Sequence, residues 1–597
     1  MKKSCLKLFA AAFLTLFVFQ GVSFSQQKKQ YDSFISEDVM AFVYVPDIAG
    51  SLAALKETSL GKLLETDDMA KIGNTIMKFL NAQMREKDSP VSWDEMLGFL
   101  QEQIQGQCAL VSFDPFEKEK DPADAVERTV LFFDVSDKSV FDAYVVKNWI
   151  MEYNLDVEKN TYRKVEYKTV SSGRKKAGYY GFIDNTVMFS ENESAVKSLI
   201  DSYMGPAQNP LAKNFVYRRL KNELKNPVCL SYFNGEKAVK NLEKRVCNPD
   251  ALVRRDVKYI PAIMKENEKR FYEFLELFGV GSLKETVYGA GIAGGNLVGK
   301  GFIRIPTPTG FASLFPKAQK GEFEALKCVP KDTMAVVTIS ASLPDVYENY
   351  VGILQKIYNA EVDKRLKELD DQENELGIDF QEMLDTMGDE IIQMVDLNPA
   401  KLKAAFAGKQ ALNAIQFGIA VKLRNEAKFK SMMGSLISKL EKLSGADSSK
   451  NSIFTEEQYR NAKIVWYPVP LEFGHCVKNG YFIMATGELL KKIVDTLAEP
   501  SGSMAQDPEV KKINSMLSSS KKCVYCYLNT PEFLDFYAAV FKTAVSGAAQ
   551  GKDAPRLEKI GNAIPDGGVF YEYLRPFAGI IYYKDDLFVI DTVLPSK

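Results

Sequence analysis

Gly289, Gly291 and Gly294, within YGAGIAGGNLVGKG (288–301), stand at the GxGxxG spacing of dinucleotide-binding folds. Such glycines hold a pyrophosphate only when they open a helix, whose N-terminal amides meet the anion. Here they run into NLVGKGFIRI, an extended pattern, and Gly294-Gly295-Asn296 is hairpin chemistry. The stretch therefore reads as two strands joined by a turn, and no nucleotide site is expected.

Cys523-Val-Tyr-Cys526 has the CxxC spacing of a redox dithiol. It lies in KKCVYCYLN, an alternating strand pattern. Residues three apart on a strand point to opposite faces, whereas the redox motif needs a helix N-terminus to lower the thiol pKa. The cysteines beyond the N-terminal leader are Cys108, Cys229, Cys247, Cys328, Cys476, Cys523 and Cys526. They are too few for a disulfide scaffold at this size. They read as small buried hydrophobes.

The chain holds one histidine, His475. That excludes a site needing two His ligands and leaves little room for Ser/His chemistry. His475 is expected on a strand surface. G-x-S-x-G, H-E-x-x-H and G-x-x-x-x-G-K-[ST] do not occur. The adjacent carboxylates Asp67/Asp68 and Asp585/Asp586 read as helix-cap or turn residues. Glycosidase acids sit on separate elements about 5 to 10 Å apart, a pairing that sequence does not display. No catalytic, cofactor-binding or metal-binding residue is assigned, and no cofactor is expected.

The elements that carry these residues occur twice. SEDVMAFVYVPDI (36–48) matches PKDTMAVVTISASLPDV (330–346), and SWDEML (92–97) matches DFQEML (379–384). Ser92-x-x-Glu95 and Asp379-x-x-Glu382 mark helix starts of capping-box type. TVLFFDVSDKSVFDAYV (129–145) pairs with QFGIAVKLRNEAKFKSMM (416–433), setting Phe141 on Phe429. FIDNTVMF (182–189) pairs with CVKNGYFI (476–483), setting Asn185 on Asn479. AVKSLIDSY (195–203) pairs with LLKKIVDTL (489–497), setting Lys197 on Lys491 and Asp201 on Asp495. VCLSYFN (228–234) pairs with CVYCYLN (523–529). Six matches in one order are the mark of a whole-domain repeat. The glycine stretch then falls opposite FAGIIYYKDDLFVIDTVLP (577–595), with Gly291 on Gly579. The outer glycines have no counterpart there.

Each half reads as a strand, helices, a capped helix, two strands, a helix, a hairpin, a helix, a strand, a helix and a closing hairpin. TYRKVEYKTV (161–170) is read as one strand and EVDKRLKELDDQENELG (361–377) as a charged surface helix. Short turns between neighbouring strands favour antiparallel pairing. The fold class expected is α+β: a tandem duplication of a mainly antiparallel sheet domain with packed helices. The divisions expected are a signal peptide over 1–25, a first repeat domain over 26–325 and a second over 326–597. A strand-then-helix form shared by 38–55 and 227–242 suggests an older quarter-length repeat.

The opening of the first half, Pro46-Asp47 followed by TSLGKLLETDDM (58–69), resembles large exported bacterial proteins classed only as domains of unknown function. That resemblance brings no catalytic residues with it.

Lys2, Lys3 and Lys7, the apolar run Leu8–Phe19 and Ser23-Phe24-Ser25 form a cleavable leader ending before Gln26. An exported chain, periplasmic, surface-bound or secreted, follows. The leader carries three of 76 basic residues and none of the 78 acidic ones, so the remainder is mildly acidic. Without a basic block there is no electrostatic case for nucleic acid. The function expected is an exported, non-catalytic binding or scaffold protein with an unknown protein or envelope component as partner. The alternatives are a carboxylate-based hydrolase and a small-ligand binder with a cleft between the halves. After leader removal no integral membrane segment is expected.

Overall fold

The computed structural model describes residues 29–597 apart from 87–90, 116–127, 174, 206–207, 225, 247–274, 318–320, 359–366, 368–378, 398–413, 444–453, 469–471, 518–521, 548–553 and 566. The expected signal peptide over 1–25, Cys247 and nearly all of the charged stretch 361–377 lie outside the described residues.

The first half opens with β1 (Ala41–Val45), followed by α1 (Ile48–Lys56), α2 (Ser59–Leu64), α3 (Asp67–Glu86) and α4 (Trp93–Gln103). Asp47 caps α1 by accepting from the Gly50 amide. Ser92 and Glu95 complete the capping box of α4. Then come β2 (Ile104–Phe113), β3 (Arg128–Val135), α5 (Lys138–Val145) and four strands, β4 (Asp156–Tyr162), β5 (Val165–Ser172), β6 (Lys175–Ile183) and β7 (Thr186–Ser190). The half closes with α6 (Glu193–Met204), α7 (Phe215–Glu223), β8 (Pro227–Phe233), α8 (Gly235–Val246), β9 (Glu285–Ala293) and β10 (Asn296–Arg304).

The second half repeats this order. It runs β11 (Ala335–Ser340), α9 (Leu343–Tyr358), α10 (Phe380–Asp385), β12 (Met387–Leu397), β13 (Ile415–Leu423) and α11 (Glu426–Leu443). Four strands follow again: β14 (Thr455–Tyr459), β15 (Ala462–Trp466), β16 (Phe473–Lys478) and β17 (Tyr481–Thr486). The end is α12 (Gly487–Ala498), α13 (Pro508–Met516), β18 (Val524–Leu528), α14 (Thr530–Gly547), α15 (Ala554–Ala563), α16 (Gly568–Tyr573), β19 (Phe577–Lys584) and β20 (Leu587–Leu594).

All twenty strands join one antiparallel sheet. In the first half β1 lies between β2 and β8, β3 between β2 and β7, and β9 between β8 and β10. In the second, β11 lies between β12 and β18, β13 between β12 and β17, and β19 between β18 and β20. The halves meet where β10 pairs with β20. Irregularities recur too: β2 slips register between Ile104 and Cys108, and β12 between Met387 and Ile391. The 3-10 turn Tyr31–Ser33 recurs as Glu324–Cys328, each followed by an isolated bridge, Ser36 to Pro210 and Pro330 to Ser503. Each half is also internally two-fold. β1, its helices, β2 and β3 mirror β8, α8, β9 and β10 across the β1–β8 pair.

Three sequence expectations are corrected by register. The stretch 161–170 is a hairpin, with Arg163 and Lys164 at φ 47° and 67° turning β4 into β5. Asn479 matches Asp184 rather than Asn185: the Val135 amide bonds the Asn185 carbonyl where the Leu423 amide bonds that of Gly480. Gly291 matches Tyr582 rather than Gly579, because the turn Gly294-Gly295 corresponds to Asp585-Asp586. In the last two cases the segment aligned, but its exact partner was shifted.

One face of the sheet carries a continuous core. Ile200, Val216 and Leu220 from α6 and α7 pack on Phe42, Phe132 and Phe302, and Leu490, Ile493 and Ile513 from α12 and α13 belong to the same cluster with Val336 and Ile483. On the other face are separate clusters. Phe141 is 1 % exposed among Trp93, Phe133 and Phe189, and its counterpart Phe429 is 0 % exposed among Leu384, Leu423 and Phe482. Leu63 of α2 packs on Ala538, Phe570 and Leu574, joining the first half to α14 and α16.

Candidate functional site

The glycine motif sits on two paired strands. Gly289 and Gly291 lie within β9, and Gly294 and Gly295, at φ 58° and 79°, make the two-residue turn into β10. No helix begins there, so there is no N-terminus to receive a phosphate. A Cβ at Gly289 would come within 2.6 Å of Leu224 Cδ1, so this glycine makes room for the residue that ends α7.

Cys523 immediately precedes β18 and Cys526 lies within it, both as free thiols. Burial pushes the Cys523 thiol up to about 11 and that of Cys526 upward, the opposite of redox activation. Cys108 and Cys229 flank β1 from either side. Two strand spacings, about 9.5 Å, exceed the reach of a disulfide.

His475 is not on the surface. It is 4 % exposed on β16, with Nδ1 2.9 Å from Tyr467 Oη and its ring against Tyr467 and Phe482. Burial, with Lys463 adding repulsion, lowers its pKa to about 4. A strand face reads as surface in sequence, but Tyr467 and Phe482 lie against this ring, and Phe429 of α11 packs on Phe482. Asp67 and Asp68 stand in the first turn of α3, and Asp585-Asp586 in the β19–β20 turn. The structure brings none of these sequence candidates together.

Two features lie beyond what the sequence patterns reveal. The first is a cavity of about 400 Å³ where the halves adjoin, lined by Glu276, Thr309, Gly310, Glu348, Asn349 and Ile353. Gly310, at φ 51°, is part of its lining, and Gly279, at φ 70°, lies against Thr309 just behind it. A Cβ on Gly310 would strike the Glu276 and Leu277 carbonyls, and one on Gly279 the Thr309 carbonyl. Among the described residues no cluster of three or more His, Cys, Asp or Glu is suited to a metal ion.

The second is an open stretch of sheet on the face opposite the continuous core. Val43 (41 % exposed) has Leu110 and Ser231 as cross-strand neighbours, and Ser231 in turn has Tyr288. Phe233 stands two residues along from Ser231 on the same face. Tyr288 lies over a glycine floor, since a Cβ on Gly301 would come within 2.9 Å of its ring. Phe417 and Ile419 of β13 are exposed on the same face, opposite Val395 and Gln393. The alternation of β1 predicts which side chains share a face. It does not predict that no helix among the described residues covers this middle stretch.

No protein-family model matches the chain. No curated protein matches it. Among solved structures, "Structure of crystal form I of TP0453" and "Structure of crystal form III of TP0453" align at 9% identity over 47% of this chain and 80% of theirs, with TM-scores of 0.21 and 0.22. Likeness at that level says nothing about fold or role. Among the described residues no helix is long and apolar enough to cross a membrane.

Proposed function

We propose that this chain is an exported, non-catalytic binding or scaffold protein that takes a protein or envelope partner on the open sheet face. The observation that carries the reading is the row Leu110–Val43–Ser231–Tyr288, with Phe233 beside it. Contiguous exposed apolar area rimmed by polar groups is a common signature of an interaction site. Export is supported by the leader over 1–25, and the described core begins soon after it, at Tyr31, Phe34 and Ile35. The domain reading is a duplication with bounds 26–325 and 326–597, supported by the recurring element order and strand pairing.

The test is photo-cross-linking in the native host, with a benzophenone side chain at Val43 or Leu110 and a control at exposed Lys71. A discrete adduct from the face positions and none from Lys71 is expected. Equal labelling at all three, or none at the face, would sink the reading.

The cavity between the halves favours a second reading, a small cationic ligand held near Glu276 and Glu348. A melting-temperature screen with polyamines and amino sugars tests it. A shift that survives Glu348→Gln would count against it.

A further inference from the structure

The strands β10 and β20 occupy the same place in their halves, with the Gly294-Gly295 and Asp585-Asp586 turns matching at an offset of 291. Their pairing therefore has a pseudo-two-fold axis, and one residue pair must lie on it. In the observed register that pair is Lys300 opposite Asp591. Lys300 Nζ lies 2.9 Å from Asp591 Oδ1 and 2.8 Å from Glu223 Oε2. Both side chains are almost enclosed, at 13 % and 8 % exposed. Glu223 is held in turn by Arg219, at 2.8 Å.

A position on such an axis meets itself in any pairing of two like halves. Two first halves would set Lys300 against Lys300, and two second halves Asp591 against Asp591. Like charges directly opposite on a sheet are destabilising, and more so where water is scarce.

We propose that the β10–β20 seam is a pairing surface that accepts only the opposite repeat, with Lys300 and Asp591 on its axis excluding a second copy of the same half. The inference rests on the reading of the chain as two joined repeats. It makes the seam specific by repulsion as well as attraction.

The experiment uses the full mature chain with a protease site between the exposed residues Pro306 and Thr307, cleaved after folding. Native mass spectrometry and circular dichroism are then read on the cleaved protein. One complex containing one of each half, with neither homodimer, is expected. Lys300→Asp and Asp591→Lys should each weaken the cleaved complex about a hundredfold or more, and the Lys300→Asp/Asp591→Lys exchange, made together with Glu223→Gln so that the carboxylate at 300 does not face Glu223, should recover most of that loss. Loss of secondary structure on cleavage of the unsubstituted chain would overturn the two-repeat reading and the inference with it. Folded halves that form homodimers, reversals that bind as before, or an exchange no better than the weaker single variant would overturn the seam inference alone.

Discussion

At the scale of residues, the decisive facts are conformation and burial. Gly294 needs φ 58°, and the counterpart of its turn, Asp585-Asp586, takes φ 53° and 60° without glycine. Asn and Asp tolerate that region where branched residues do not. Gly294→Asn should therefore change stability by less than about 1 kcal/mol, and Gly294→Val should cost clearly more. Urea titration reads both, and equal effects would contradict the turn. His475 carries a pH signature. Its folded pKa, about 4, is below the ordinary 6.5 because burial disfavours the charged ring. Its contribution is full above pH 6.5 and is lost as pH falls toward 4. Glu532 works in the opposite sense. Burial, then Asp396 and Asp332, raise it from 4.5 to about 7, against the opposing pull of Lys492. Its contribution is full below pH 4.5 and is lost as pH rises through about 7. Stability–pH curves of His475→Gln and Glu532→Gln should each flatten one of these slopes. A curve unchanged by both substitutions would refute the assignments. The single histidine was plain in the sequence. Its burial was not, because Phe482, against its ring, is packed in turn by Phe429 of α11 from a separate stretch of chain.

At the scale of elements, the same fastening appears in both halves. Tyr162 Oη donates to Asp201 at 3.1 Å, and Arg163 Nε lies 2.8 Å from the same carboxylate. Tyr459 and Arg460 meet Asp495 at 3.0 and 2.8 Å. Lys197 and Lys491 sit over the two tyrosine rings. Each set ties a hairpin, β4–β5 or β14–β15, to the helix beneath it. These ion pairs are about a third to a half exposed, so each is worth at most about 1 kcal/mol. Asp201→Asn and Asp495→Asn should lower global stability only slightly. They should speed amide exchange in their own hairpin, and exchange that rises in neither would show the contacts to be incidental. Phe141 and Phe429 are the opposite case, large and enclosed. Either one changed to Ala should cost about 3 to 5 kcal/mol, measured by chemical denaturation. The aligned sequence segments already matched Lys197 with Lys491 and Asp201 with Asp495. They could not show that each aspartate's partners are a tyrosine 39 or 36 positions earlier and the arginine after it, since only the folded hairpin brings them close.

At the scale of the whole molecule, one apolar layer runs under both halves. Unfolding should accordingly be a single cooperative transition rather than two. A calorimetric trace that resolves into two separate peaks would contradict that continuity. Mass spectrometry of the protein from its own host should find a chain beginning near Gln26, and retention of residues 1–25 would refute the leader. The amino-acid sequence by itself determined the α+β class, the order of elements and their repetition, because strand alternation, capping residues and turn residues act over a few neighbours. It also placed the glycine and cysteine motifs on strands, away from the helix N-terminus that a dinucleotide or redox site requires. What only the tertiary structure decided depends on residues far apart in the chain. The exact partners of Gly291 and of Asn479 were shifted, and only hydrogen-bond register settles such a shift. Glu276 and Glu348 share a cavity because the segments 276–279 and 309–310, which touch through two positive-φ glycines, lie beside α9 of the other half. Lys300 meets Asp591 because the last strands of the two halves, nearly 300 residues apart, pair to join the sheet, and Val43 stays open because no helix among the described residues buries it.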